Sequence, residues 1–170
     1  MPHKPTPNYV VTVKFGKEDF SARELGDAIF PYDSSVSVVK TRFKGVLLLY
    51  TNLSFAELLR ILAAFPPAYV ERIVKIDFCC PVGKVRECVI EQLTQKRIRY
   101  GAVKFGRTGS LGKRLAKEIE KLLMKNREYG SDSVLHVEPI NDHVCFGVMK
   151  RYADRFYVIR KKKIDKLLNR

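Results

Sequence analysis

Between Arg99 and Lys125 the chain reads RYGAVKFGRTGSLGKRLAKEIEKLLMK. A short apolar run, Ala102 to Phe105, enters a glycine-punctuated turn, Gly106-Arg107-Thr108-Gly109-Ser110, which opens an amphipathic helix. The run needs a pairing strand, and the helix needs an apolar surface for Leu111, Leu115, Ile119, Leu122 and Leu123, which recur at helical spacing. That requirement commits the region to an α/β arrangement. The outer ridge is basic, with Lys113, Lys117, Lys121 and Lys125 each four residues apart. A helix start presents unpaired backbone N–H groups and the positive end of a dipole, so it suits an anion. Here Arg99, Lys104, Arg107, Lys113, Arg114 and Lys117 surround it, and no acidic residue follows until Glu118. Phosphate in a polynucleotide is the expected anion.

The charge balance points the same way. The net charge is +14 in 170 residues. It is uneven along the chain: residues 1–75 hold 10 Lys+Arg and 7 Asp+Glu (+3), and residues 76–170 hold 22 and 11 (+11). Such a field favours a polyanionic partner, and its distribution predicts that the second half supplies affinity while the first supplies alignment. A basic surface kept for solubility is the alternative. Binding to a membrane is not expected, because no segment approaches the roughly 20 apolar residues of a span. The N-terminal MPHKPTPN lacks the apolar run of a secretion signal and reads as a short flexible arm, residues 1–8. The expected location is cytoplasmic.

Cys79, Cys80, Cys88 and Cys145 form no C-x-x-C pattern, so no zinc site is expected. Adjacent Cys79 and Cys80 project to opposite faces of a strand. The expectation is four reduced thiols acting as small buried hydrophobes.

The chain divides near Asp77. Tyr9 to Phe15 is β-rich, and Ala22, Leu25, Ala28 and Ile29 give Ser21 to Ile29 a helical stripe. Ser34 to Lys40 alternates as a half-buried strand, and Val46 to Tyr50 is a continuous apolar run. Ser54 is placed to cap a helix from Phe55 to Ala64, which Pro66-Pro67 ends. Ala68 to Ile76 closes the half as a strand. The order βαββαβ is that of a ferredoxin-like domain, residues 9–76. In the second half a helix is expected over Val82 to Ile98, buried through Val85, Val89, Leu93 and Cys88. Val134 to Pro139 and His143 to Met149 read as paired strands turned at Asn141-Asp142. Phe156 to Arg160 is expected to be an edge strand, bounding a second domain at 77–160. Residues 161–170 form a basic tail, either a short helix or frayed. The fold class is therefore α/β, of the α+β kind.

Gly106, Gly109 and Gly112-Lys113 do not make a nucleotide-binding P-loop, because Arg107 stands where the first glycine belongs and Arg114 where the magnesium-binding hydroxyl belongs. Gly106-Arg107-Thr108-Gly109 matches the Gly-x-x-Gly of KH domains, but that loop joins two helices and this one follows a strand. His3, His136 and His143 have no obvious carboxylate or serine partner, and Glu118 and Glu120 lie among lysines suited to ion pairs along the helix. No catalytic residue, metal site or cofactor loop is expected.

The chain resembles the THUMP family, named for thiouridine synthases, RNA methyltransferases and pseudouridine synthases. VKFGRTGSLGKRLAKEI resembles the family's central strand, basic turn and helix, and SVLHVEPINDHVCFGVMK its paired final strands. VTVKFGKEDFSARELGDAI through PPAYVERIVKID resembles the N-terminal ferredoxin-like domain of stand-alone THUMP proteins, among them adaptors of tRNA cytidine acetylation. The resemblance implies a THUMP-like RNA-binding domain over 77–160. It implies a protein that holds tRNA by its acceptor stem and 3′ end and presents it to a separate tRNA-modifying enzyme, such as an acetyltransferase. The region left after the THUMP-like part has no room for a catalytic domain, so the expectation is a non-catalytic adaptor without cofactor. Carried over by position, the RNA-binding residues are Lys104, Arg107, Lys113, Arg114 and Lys117. Arg99, Lys150 and Arg151 join them on charge alone, and Arg160 to Lys163 as an added RNA contact. Tyr100 and Tyr152 are candidates to stack on a terminal base or to cap the core. The alternatives are a ribosome-associated RNA-binding protein and an RNA-modifying enzyme with an unrecognised site.

Overall fold

A computed structural model describes residues 5–169. Two compact units divide the chain, Pro7–Lys75 joined by residues 154–169, and Ile76–Ala153 joined by residues 5–6. The first is a four-stranded sheet in the order β2-β3-β1-β4, with β1 Tyr9–Val13, β2 Ser37–Lys40, β3 Val46–Tyr50 and β4 Val70–Lys75. All its pairings are antiparallel. Helices α1 (Glu18–Ile29) and α2 (Phe55–Ala64) complete the expected βαββαβ order. Ser54 caps α2 through a reciprocal pair, its hydroxyl accepting from the Glu57 N–H and the Glu57 carboxylate accepting from the Ser54 N–H. Tyr9, Val11, Leu47, Leu49, Leu58, Leu62 and Ile73 bury the apolar face of this unit.

The expected arm at 1–8 is shorter than that. Residues 1–4 lie outside the described residues, while Pro7 is buried and the Asn8 carboxamide accepts from the Thr51 N–H at 2.9 Å.

Beyond Ala153 the structure departs from the expected edge strand. Phe156–Leu168 forms a helix, α5. Phe156 is buried in the core of the first unit, with Ile159 packed against it. The spacing Phe156, Ile159 is helical; a strand would have turned these two side chains to opposite faces. The start of α5 is held by Asp154, whose carboxylate takes the Arg72 Nε–H at 2.8 Å with both side chains largely buried. Its backbone carbonyl accepts from the Ile73 N–H at 2.9 Å. Further along, Arg160 Nη1 donates to the Pro67 carbonyl at 3.1 Å and to the Val70 carbonyl. Arg160 is therefore a clamp on the first unit and not the free RNA contact expected of it. Among the described residues each unit now holds 15 Lys+Arg and 9 Asp+Glu, so each carries +6. The asymmetry along the sequence does not persist in space.

The second unit is a mixed sheet in the order β5-β8-β7-β6, with β5 Phe78–Pro81, β6 Ala102–Phe105, β7 Ser133–Ile140 and β8 His143–Lys150. Strand β6 runs parallel to β7, and the other pairs are antiparallel. The connection from β5 to β6 carries a short 3₁₀ turn at Val82–Lys84 and then α3, Val85–Gln95, shorter than expected at both ends. Helix α4, Lys113–Lys125, makes the crossover from β6 to β7. Val85, Val89, Ile119, Leu123, Leu135, Val137 and Phe146 share one core. Tyr100 is buried and donates its hydroxyl to the Leu123 carbonyl at 2.7 Å, which makes it a core residue and not a stacking surface.

The cysteines are paired and not reduced. Cys79 lies directly opposite Cys145 in the β5–β8 register and is bonded to it, and Cys80, on the other face of β5, is bonded to Cys88 of α3. No free cysteine remains. Sequence spacing held no hint of the first bond, which depends on a register set 66 residues away.

These links make stability measurable at two places. In the loop-entropy account, removing the Cys79–Cys145 bond costs about 4 kcal/mol and removing Cys80–Cys88 about 2 kcal/mol. The paired alanine variants, compared by urea unfolding, should rank in that order; alkylation of four thiols in the unreduced protein would show that neither bond exists. Arg160→Ala should lower stability by about 2–3 kcal/mol, since a charged donor leaves partly buried carbonyls behind. Lys162→Ala, at an exposed position, should stay within about 0.5 kcal/mol in the same assay.

Candidate nucleic-acid interface

The turn Gly106–Gly112 is anchored from beneath by a buried carboxylate. Glu138, on β7, has no exposed surface, and neither does Thr108. Thr108 Oγ1 lies 2.8 Å from Glu138 Oε2 and 3.2 Å from the Pro139 carbonyl oxygen, so its proton has an acceptor in either direction. The Gly106 N–H extends the β6–β7 pairing by donating to the Val137 carbonyl at 2.8 Å. A β-carbon at position 106 would overlap the Glu138 carboxylate. Gly106 is thus required by the closeness of the carboxylate and not by an unusual backbone angle. Neither Thr108 nor Glu138 is legible as a site residue in the sequence, because the pair is joined only once β6 and β7 are in parallel register.

With Thr108 drawn inward, Arg107 and Ser110 remain exposed. Helix α4 then begins at Lys113 behind Gly112, two residues later than the turn suggested, with Leu111 packed against the core before the helix starts. No side chain caps this start and its first turn holds no acidic residue. Lys113, Arg114 and Lys117 lie along the first turns and all three are exposed. Arg114 reaches Glu118 at 3.3 Å, an exposed pair of small energetic weight that leaves the guanidinium accessible. Lys104 is exposed on β6, which pairs only with β7 and forms an edge of the sheet.

The expected residues do not form one cluster. Arg107 follows the end of β6, beside Pro139 and the β7–β8 turn. Lys150 pairs across from Ser133 at the opposite end of those strands, and the Arg151 N–H donates to the Asp132 carbonyl there. Arg99 belongs to that far end as well, in a loose contact with Glu128 at 4.0 Å. A strand of this length spans roughly 25 Å. The turn group (Arg107, Lys113, Arg114, Lys117) and the far group (Arg99, Lys150, Arg151) are consequently separate, with Lys104 between them. His143, expected to lack a carboxylate partner, has Nδ1 2.8 Å from Asp142 Oδ1, but the pair sits on an exposed turn. Among the described residues no group of His, Cys, Asp or Glu is arranged to hold a metal, and no helix is long and apolar enough to cross a membrane.

No protein-family profile matches the chain, and no curated protein matches it. Solved structures do. TrmN from Thermus thermophilus is similar over 87% of this chain and 46% of its own, at 12% identity and a TM-score of 0.51. PH1313 from Pyrococcus horikoshii Ot3 is similar over 84% of this chain and 54% of its own, at 12% identity and a TM-score of 0.49. A 4-thiouridine synthetase, solved with RNA and bound ATP, is similar over 83% of this chain and 40% of its own, at 18% identity and a TM-score of 0.45. At such identities the likeness is one of fold, and the chain spans about half, or less, of the length of these proteins.

If the clasp sets the turn, its removal should be felt locally. Thr108→Val keeps the shape but takes a hydrogen-bond donor away from the buried Glu138, and should cost about 1–3 kcal/mol in urea unfolding. Gly106→Ala should cost a similar amount through overpacking. Both variants should be cleaved faster than the wild type after Arg107 by trypsin; unchanged cleavage would mean that the turn is held by other contacts.

Proposed function

We propose that this protein is a non-catalytic tRNA-binding adaptor that holds the acceptor stem and 3′ end and presents the tRNA to a separate modification enzyme. The observation that carries the proposal is the turn group itself: an uncapped helix start, Arg107 held outward by the Thr108–Glu138 clasp, and Lys113, Arg114 and Lys117 beside it with no acid in the first turn. Backbone N–H groups, a helix dipole and a row of cations together suit phosphates. An A-form stem hides its major-groove base edges, so a surface of this kind reads backbone and shape. The resemblance of VKFGRTGSLGKRLAKEI to the THUMP turn supports tRNA as the particular RNA, and the fold shared with TrmN accords with it. The far group extends the contact along the same sheet.

Removing one phosphate contact lowers the slope of log affinity against log salt by about 0.7–0.9. Replacing Arg107, Lys113 and Lys117 together by alanine should therefore flatten the slope for tRNA by about 2–3 units without loss of fold. Lys161→Ala, Lys162→Ala and Lys163→Ala in one chain serve as the control. A turn variant that keeps its slope while the α5 variant loses it would place the principal contact elsewhere. Wild-type protein should also prefer intact tRNA to duplex DNA of equal length; equal affinity at physiological salt would reduce the interaction to unspecific charge attraction. Recovery of a modification enzyme with the tRNA-bound protein tests the adaptor role.

A further inference from the structure

The first unit carries its own surface of aromatic rings and cations. In an antiparallel sheet ordered β2-β3-β1-β4, the end of β1, the β2–β3 turn and the start of β4 all lie at one end. The Val13 N–H donates to the Gly45 carbonyl at 2.8 Å and the Lys14 N–H to the Tyr69 carbonyl at 3.1 Å, which ties the three segments together. Phe15 is 78% exposed and Phe20 55% exposed. Phe65, in the connection that leads into β4 at this end, is 84% exposed. Exposed rings gathered at one end of a sheet are the kind of feature that marks an interaction surface.

The chemistry around them identifies its class. The Phe20 ring meets Tyr69 edge to face at 5.6 Å, and Lys17 Nζ stands 5.0 Å above the Tyr69 ring. In the neighbouring turn the Arg42 guanidinium lies 5.0 Å over Phe43. Lys14 and Lys44 are exposed beside them. The nearby acids are engaged elsewhere: Glu18 accepts from the Gly45 N–H at 2.6 Å, Asp19 pairs with Lys40 at 2.6 Å, and Glu24 accepts from the Ala68 N–H at 3.1 Å. Aromatic faces interleaved with cations match bases and phosphates of an unpaired strand. A protein-docking face of this size would be depleted in lysine.

We infer that the sheet end formed by Phe15, Phe20 and Tyr69, with Lys14, Lys17 and Lys44, is a second RNA site that stacks unpaired nucleotides. The inference rests on the reading of the protein as an RNA binder and adds a single-strand platform distinct from the turn group. A duplex cannot use it, because paired bases present no free face.

The test uses the full chain and two probes, an eight-nucleotide single-stranded RNA bearing one 2-aminopurine and a fully paired, blunt RNA duplex. Phe15→Ala with Phe20→Ala should weaken the single strand by about 5- to 150-fold and abolish the fluorescence quenching that accompanies stacking. Affinity for the duplex should be unchanged. Phe15→Tyr with Phe20→Tyr should retain binding, whereas the leucine pair, apolar but unable to stack, should behave like the alanine pair. Full retention of single-strand affinity in the alanine pair overturns the platform, while the turn group keeps its own salt-slope test. Leucine variants that bind and quench like wild type would also overturn it, in favour of a plain apolar surface suited to a protein partner. Failure of the wild type to bind either probe, or tRNA, overturns the parent reading together with this one.

Discussion

The carboxylate of Glu138 is the constraint from which the second unit's working surface descends. Taking an ionisable group out of water costs several kcal/mol unless hydrogen bonds replace its hydration. Thr108 supplies one such bond, and to do so it must leave the surface altogether. The turn that carries it is thereby drawn beneath the end of β7, and the residue at 106 has to be glycine because the carboxylate occupies the space of a β-carbon. Arg107 then faces outward because its neighbour faces inward. The start of α4 inherits its position from the same turn, so the cations at Lys113, Arg114 and Lys117 are presented as a consequence of what is buried at 108 and 138.

Charge in this protein falls into two kinds. Arg72, Asp154 and Arg160 are structural: they fasten α5 to β4 through buried or half-buried contacts, and their removal is a stability effect. The exposed lysines and arginines remain accessible to a ligand. Because α5 returns the C-terminal cations to the first unit, both units carry the same net charge among their described residues. A division in which one half binds and the other merely aligns has no electrostatic basis. For the proposed RNA ligand, counterion release belongs to both units, and the salt dependence of binding is a sum over the two.

Much of the architecture was legible in local pattern. The βαββαβ order, the Ser54 cap, the Asn141-Asp142 turn and the apolar stripe of α4 each depend on residues within a few positions of one another, and each appears in the structure. What escaped were the pairings made at long range. Phe156 to Arg160 is as apolar and β-branched as an edge strand, and its helical spacing acquires a meaning only through the core of the first unit, on which Phe156 and Ile159 pack. The Cys79–Cys145 bond depends on the β5–β8 register, and the Glu138–Thr108 contact on the parallel register of β6 and β7. The candidate site was legible as a composition but not as a shape. Nothing in a row of cations says that Arg107 and Lys150 stand at opposite ends of one sheet.

For the proposed RNA ligand, that separation bears on how a surface without base-reading contacts can still discriminate. Two cation groups roughly 25 Å apart cannot both be engaged by a very short oligomer, which binds one and gains only that group's counterions. A rigid stem long enough to cover both makes the second contact at high effective concentration once the first is formed, provided that its phosphates fall at the right spacing. Length and stiffness are then read as affinity, with no hydrogen bond to a base. The aromatic platform inferred on the first unit would add a requirement of the opposite kind, an unpaired stretch whose bases are free to stack. For the proposed RNA ligand, paired and unpaired segments therefore answer to different surfaces. Neither a uniform duplex nor a uniform single strand meets the two conditions together, so discrimination of this kind needs no base-reading contact, only cations on one sheet and rings on the other.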